Sequence, residues 1–296
     1  PLSNLTKEDV VIIPAFGTTL ELEAKINAIG IQIHKYNTTC PFVEKVWNRG
    51  DQIAKKGYTI IIHGKPKHEE TRATFSHAAH KAPTLIINDM EEAQLLGKII
   101  KGELPISDFE KYFKNRHSEG FDANIHFEKI GVINQTTQLA TDTQAISDYL
   151  KNIIVQKYGK ENISAHFADT RDTLCYATND NQSAVIELLN TPADLAIVMG
   201  GKNSSNSSHL VELCEQKLPT YFIDDANKII DQHQIIKSNW KDKSEQIVQD
   251  YLPSKNSVTI LMTSGASCPD TVVESVIRKI AGYYNVEEAL EDVIQF

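Results

Sequence analysis

Cys40 stands in Asn37-Thr38-Thr39-Cys40-Pro41, and Cys175 in Asp172-Thr173-Leu174-Cys175-Tyr176-Ala177-Thr178. Pro41 suits the first position of a helix, and a helical run over residues 183–189 follows Cys175. A thiol at a helix N-terminus loses pKa, and the thiolate is the form that binds iron or attacks an electrophile. The alternative for any single cysteine is a small buried hydrophobe. Cys214, behind Leu210 and Leu213 on an apolar helical face, fits that alternative, and Cys268, beside Ser267 in a polar loop, is read as a non-ligand.

A second concentration of chemistry is Gly200-Gly201-Lys202-Asn203-Ser204-Ser205-Asn206-Ser207-Ser208. It follows an apolar run at residues 195–199 and precedes an amphipathic pattern opening at His209-Leu210. Four hydroxyls, two amides and an ammonium therefore lie where a buried strand turns into a helix. The first helical N–H groups lack intrahelical partners, and the helix dipole favours negative charge there. The stretch can surround a phosphate or diphosphate. Ser and Asn also cap helices, but one cap needs one such residue. His63, His68, Glu69 and Glu70 form a third group. Their spacing is not H-E-x-x-H, so acid–base or hydrogen-bonding roles compete with metal ligation.

These groups sit in a repeated unit. Aliphatic runs at residues 10–13, 59–62, 130–133, 195–199 and 258–262 are each followed by a polar loop and a helical pattern. The loops are Pro14-Ala15-Phe16-Gly17-Thr18-Thr19, residues 63–71, Asn134-Gln135-Thr136-Thr137, the Lys202 stretch, and residues 263–270. Alternating strands and helices predict an α/β protein with mainly parallel sheets and function collected at the strands' carboxyl ends. Five loops of this polarity are expected to serve one shared site between domains. Residues 104–127 and 224–257, rich in charge and turn formers, read as peripheral insertions or connections.

Composition narrows the partners. The chain has 296 residues, 41% hydrophobic and 23% charged, which is enough for two or three domains. No apolar run approaches the roughly 20 residues of a membrane-spanning helix. A net charge of −9 argues against a general nucleic-acid surface. Four cysteines are too few for a secreted disulfide scaffold. There is no G-x-G-x-x-G after a strand, no P-loop and no G-x-S-x-G elbow. The chain begins at Pro1 without a signal-like segment, and is expected to start inside a longer protein.

Thr38-Thr39-Cys40-Pro41, His63-Gly64-Lys65, His68-Glu69-Glu70-Thr71, Asn134-Gln135-Thr136-Thr137, Cys175-Tyr176-Ala177-Thr178, Lys202-Asn203-Ser204-Ser205-Asn206 and Ser264-Gly265-Ala266-Ser267 resemble the hydroxymethylbutenyl diphosphate reductase (IspH/LytB) family, in its order and over nearly the whole chain. Pro14-Ala15-Phe16-Gly17, the Trp47 context and the insertion at residues 104–127 look like its plant and cyanobacterial branch. The resemblance implies a pseudo-threefold arrangement of small α/β lobes: residues 1–40 as the remainder of a first lobe, 41–171 as a middle lobe and 172–296 as a C-terminal lobe, with a tail from about 282 packing back on the first. It implies a 4Fe-4S cluster with Cys40 and Cys175 as two of three ligands and the third outside this chain. Glu70 would relay the proton to the departing allylic hydroxyl, with Thr136 close to it. His68, Gln135, Ser204, Ser205, Asn206 and Ser267 would hold the diphosphate. The implied reaction is the last step of the methylerythritol phosphate route to isoprenoids, with a ferredoxin or flavodoxin type donor, in the cytoplasm or, in a photosynthetic eukaryote, the plastid stroma. The family's Gly-Phe-Cys loop is absent, and Phe16 replaces a common His. A cluster-free diphosphate-binding protein or inactive homologue is the alternative.

Overall fold

The computed structural model describes residues 2–168, 173–255 and 257–286. The chain divides into two compact units, Pro1–Cys175 and Tyr176–Phe296. The expected boundary at 171/172 and most of the tail beyond 282 lie outside the described residues.

In the first unit, α1 (Leu20–Ile29) precedes α2 (Pro41–Lys55), β1 (Thr59–His63), α3 (Glu69–Ala79), β2 (Thr84–Ile87), α4 (Met90–Lys101), α5 (Phe109–Phe113), β3 (Ile130–Asn134), α6 (Ala140–Tyr158), α7 (Ile163–His166) and β4 (Phe167–Ala168). The strands form one sheet in the order β2-β1-β3-β4, and every pairing is parallel. Strand side chains alternate between faces, so β1 feeds two cores. Ile61 joins Leu85, Ile87, Ile130 and Val132 in a cluster with Leu96, Phe113, Ile146 and Leu150 from α4, α5 and α6. Ile60 and Ile62 join Ile133, Val46, Ile53 and Ala78 on the α2 and α3 side. A sheet covered on both faces explains why its strands read as unbroken aliphatic runs.

The second unit contains α8 (Tyr176–Leu188), β5 (Leu195–Met199), α9 (Ser205–Glu215), β6 (Thr220–Ile223), β7 (Gln234–Ser238), β8 (Glu245–Gln249), β9 (Ile260–Ser264) and α10 (Asp270–Tyr283). Its parallel sheet runs β6-β5-β9, and β7 pairs with β8 as an antiparallel hairpin. Leu195, Ile197 and Met199 pack with Ile223, Ile235, Val276 and Ile280 in its core.

Three sequence expectations change. Residues 10–13 form no strand: Ile13 makes a single parallel bridge to Asn37, while Val10 and Ile12 are more than 60% exposed. Without a neighbouring ladder to satisfy its backbone, an aliphatic run of this length stays extended rather than becoming a strand. The last parallel strand lies at Ile260–Ser264, two residues later than the aliphatic run suggests, because Asp194 takes up the chain before it: its backbone N–H donates to the Thr259 carbonyl at 2.9 Å, and its carboxylate accepts the Thr259 N–H at 2.8 Å. Residues 224–257, read as a peripheral insertion or connection, hold the β7–β8 hairpin but are not wholly peripheral, since Ile229, Ile235 and Tyr251 enter the second unit's core; the mostly exposed second strand carries little apolar signal.

Candidate functional site

The parallel register sets the geometry. His63 pairs with Asn134 at the carboxyl ends of β1 and β3, so the loops that follow them leave the sheet side by side. Gln135 ties the two together. Its N–H donates to the His63 carbonyl at 2.8 Å, and its Oε1 accepts from the Lys65 N–H at 3.2 Å, the Thr71 hydroxyl at 3.0 Å and the Gln138 amide at 3.2 Å. Its own amide donates to Thr137 Oγ1 at 2.7 Å.

Glu70 lies at the start of α3 and is only 3% exposed. The Thr136 N–H donates to Glu70 Oε1 at 2.6 Å, joining the loop after β1 to the loop after β3. Burial pushes the Glu70 carboxyl up to about 7, against the opposing pull of hydrogen bonds from the Thr136 backbone and side chain. Ordinary carboxylates are ionised at neutral pH; this one is divided between acid and base there, the range suited to proton transfer.

His68 is the N-cap of α3, and its Nδ1 accepts the Glu70 N–H at 3.2 Å. A ring nitrogen that accepts a hydrogen bond carries no proton, so the neutral ring holds its proton on Nε2. Burial, then Lys65, depress the His68 pKa and favour the neutral ring, against Glu69, which favours the charged one. His68 can thus cap a helix with one nitrogen and donate with the other.

Cys40 is the N-cap of α2, with Pro41 in the first turn as the sequence predicts. Its N–H donates to the Ala15 carbonyl at 2.8 Å, and its carbonyl accepts from Val43 at 2.9 Å and Glu44 at 3.1 Å. In the Ala15 loop, Gly17 has a φ of +75°, and a Cβ there would lie 2.5 Å from the Trp47 ring, so no side chain fits. Trp47 stacks on His77 at 3.8 Å between centroids and donates to Thr74 Oγ1 at 3.1 Å. Cys175 immediately precedes α8, and its N–H donates to the Thr136 carbonyl at 3.2 Å. Thr136 therefore touches Glu70 and the Cys175 backbone at once. Thr173 anchors the same stretch through Asn134, a contact with no signature in the sequence. Cys40 and Cys175 are free, half-buried thiols. Cys214 is buried, as expected of a structural residue, with its thiol pushed up to about 11 by burial and then by Glu215. Burial, then Asp270, raise the Cys268 thiol as well.

In the second unit, Met199 pairs with Ser264 and Ile223, which brings the loops after β5, β9 and β6 together. Ser204 caps α9, its Oγ accepting the Ser207 N–H at 3.2 Å and its carbonyl the Ser208 hydroxyl at 3.0 Å. A Cβ at Gly200 would lie 2.2 Å from Ser207 Oγ, and one at Gly265 2.1 Å from it, so this hydroxyl is seated between two backbones. Ser205 and Asn206 are buried in the first turn of α9, and Ser267 is exposed two residues beyond Gly265. Both side-chain atoms of Asn206 and the Ser207 hydroxyl are buried without hydrogen-bond partners. Leaving such groups unsatisfied costs about 1–3 kcal/mol each. An anionic ligand's oxygens could accept from the two donors among them, the Asn206 amide N–H and the Ser207 hydroxyl. Lys202, which the sequence offers as one of the donors, is engaged instead by Glu245.

The sequence profile described as "LytB protein" matches residues 2–281 of the chain. Among curated relatives, 4-hydroxy-3-methylbut-2-enyl diphosphate reductase of Synechococcus sp. (strain CC9902) is 40% identical over 281 residues, covering 94% of this chain and 68% of the relative. The enzyme of the same name from Rippkaea orientalis is also 40% identical, over 280 residues, covering 94% and 67%. The solved structure of E-1-hydroxy-2-methyl-but-2-enyl-4-diphosphate reductase from Plasmodium falciparum matches in fold with a TM-score of 0.65 at 22% identity, over 95% of this chain and 70% of the other.

Proposed function

The chain belongs to the LytB protein family, and from that premise we propose that it is an iron–sulfur reductase that converts hydroxymethylbutenyl diphosphate to isopentenyl and dimethylallyl diphosphates. The reaction removes the allylic hydroxyl as water, consuming two electrons and two protons. The observation that carries the proposal is the buried Glu70 carboxyl, near pKa 7 and bonded to Thr136.

The residues present suit the cluster at two corners. Cys40 and Cys175 are free, half-buried thiols just ahead of helices, and would hold a 4Fe-4S cluster together with a thiolate from outside this chain. When bound, the cluster supplies the electrons. Raised thiol pKa values make Cys214 and Cys268 poorer ligands. Glu70 in its acid form gives a proton to the departing hydroxyl, and the Thr136 N–H fixes the carboxyl's other oxygen. Thr136 Oγ1 is assigned to orient that hydroxyl. His68, through Nε2–H, and Gln135, as the hub of both loops, are assigned to the substrate. The diphosphate draws on Ser204, Ser205, Asn206 and Ser267, supported by the unpaired Asn206 amide and the α9 N-terminus. A one-electron donor of ferredoxin or flavodoxin type, a three-lobed arrangement, and a cytoplasmic or plastid-stromal setting complete the reading. No helix among the described residues is long and apolar enough to cross a membrane.

The test is Glu70→Gln in anaerobically reconstituted protein. Isopentenyl diphosphate binding should be retained and turnover should fall about 10²-fold or more, the usual scale of general acid catalysis. Near-normal turnover would remove Glu70 as the proton source.

A further inference from the structure

Lys202 lies two residues ahead of the Ser204 cap, in the loop that presents the α9 N-terminus, yet its charge is already spoken for. Its Nζ contacts Glu245 Oε1 and stands 3.9 Å from Asp224 Oδ2. The same Glu245 oxygen accepts from Lys228 Nζ at 2.5 Å. The two lysines and two acids form a neutral group at the end of the β5–β6 pair. Glu245 enters it from the first position of β8, paired with Ser238 in the hairpin. Lys202, then Lys228, hold the Glu245 carboxyl down at about 2, so it remains an anion throughout the neutral range.

A carboxylate on this lysine occupies the role that a ligand phosphate would otherwise take. The Asn206 amide N–H and the Ser207 hydroxyl, both donors, are buried without partners in the first turn of α9. We propose that Glu245 is an internal competitor for Lys202, and that a bound diphosphate takes Lys202 over from it, making the β7–β8 hairpin a regulator of affinity at the α9 anion site. The inference rests on the diphosphate reading above. Exchange of one anion for another leaves the lysine paired in both states and spares it a bare, desolvated interval. The cost is weaker binding than an unopposed lysine would give, and hence easier release of a diphosphate product.

Glu245→Gln keeps the shape and hydrogen bonding of the side chain while removing the competing charge. Calorimetric titration with inorganic pyrophosphate and with isopentenyl diphosphate should show binding about two- to fivefold tighter than wild type, the range set by releasing a partly exposed ion pair. The gain should vanish when Lys202→Met is added to Glu245→Gln. Tighter binding that depends on Lys202 supports the inference. Unchanged or weaker binding, with a lowered melting temperature, would make Glu245 a structural tie of the hairpin and overturn it while leaving the anion site standing. Absence of binding in both wild type and Glu245→Gln would overturn the anion site as well.

Discussion

Replacing Glu70 by Gln has a consequence for stability that is independent of turnover. The carboxyl moves from 4.5 to about 7 on burial, and one pKa unit corresponds to 1.36 kcal/mol, so the shift corresponds to about 3 kcal/mol. The sign follows from proton counting. Between pH 4.5 and 7 the folded protein holds the Glu70 proton and the unfolded chain has released it, so stability falls as pH rises through that window. Below about 4.5 the residue imposes no ionisation penalty, and above about 7 it imposes the full amount. Gln cannot ionise and should escape the loss. Urea unfolding of both proteins from pH 4.5 to 8.5 isolates the effect, because other titrating groups are common to the two. The wild type should lose about 3 kcal/mol relative to the variant across this range. A difference that does not vary with pH would refute a buried carboxyl poised near neutrality, and with it the reason for choosing Glu70 as the acid.

Asn206→Ala should weaken isopentenyl diphosphate binding about tenfold or more while leaving unliganded stability unchanged or higher, because the amide has no internal partner to lose; calorimetry and thermal melts on one sample check both halves. Ser204→Ala should behave differently, weakening binding and also costing about 0.5–2 kcal/mol in urea unfolding, since Ser204 caps α9. Gly17→Ala meets both a positive φ and the Trp47 ring, so it should cost about 1–2 kcal/mol from the left-handed conformation alone, read as a shift of the urea midpoint. Cys175→Ser and Cys40→Ser should each lower iron and sulfide content after anaerobic reconstitution, whereas Cys214→Ala, in the core of α9, should lower stability and spare the metal content.

The parallel α/β architecture was legible because β1, β3 and β5 are buried on both faces and spell themselves as aliphatic runs between helix caps. β2 and β6, only four residues each, carry too little pattern to stand out beside the helices that flank them. The exposed β8 has almost no apolar face at all. At the site, the residue types announced themselves: cysteines before helices, acids beside a loop His, a hydroxyl-rich helix start. Their partners did not. Thr136 meets Glu70 across 66 positions and Lys202 meets Glu245 across 43, separations that only the register of the parallel strands and the hairpin brings to contact. The polar stretch at Lys202 does begin a helix, as its residue types suggest, but its one lysine is neutralised internally by Glu245, which lies in a strand with no motif of its own.

Product analysis tests the central claim most directly. Reconstituted protein with a verified iron–sulfur content, supplied with hydroxymethylbutenyl diphosphate and a low-potential one-electron donor, should form isopentenyl and dimethylallyl diphosphates with two electrons consumed per molecule of product. A protein that carries the cluster and binds the diphosphate yet forms neither product would contradict the account and leave a diphosphate-binding homologue in its place.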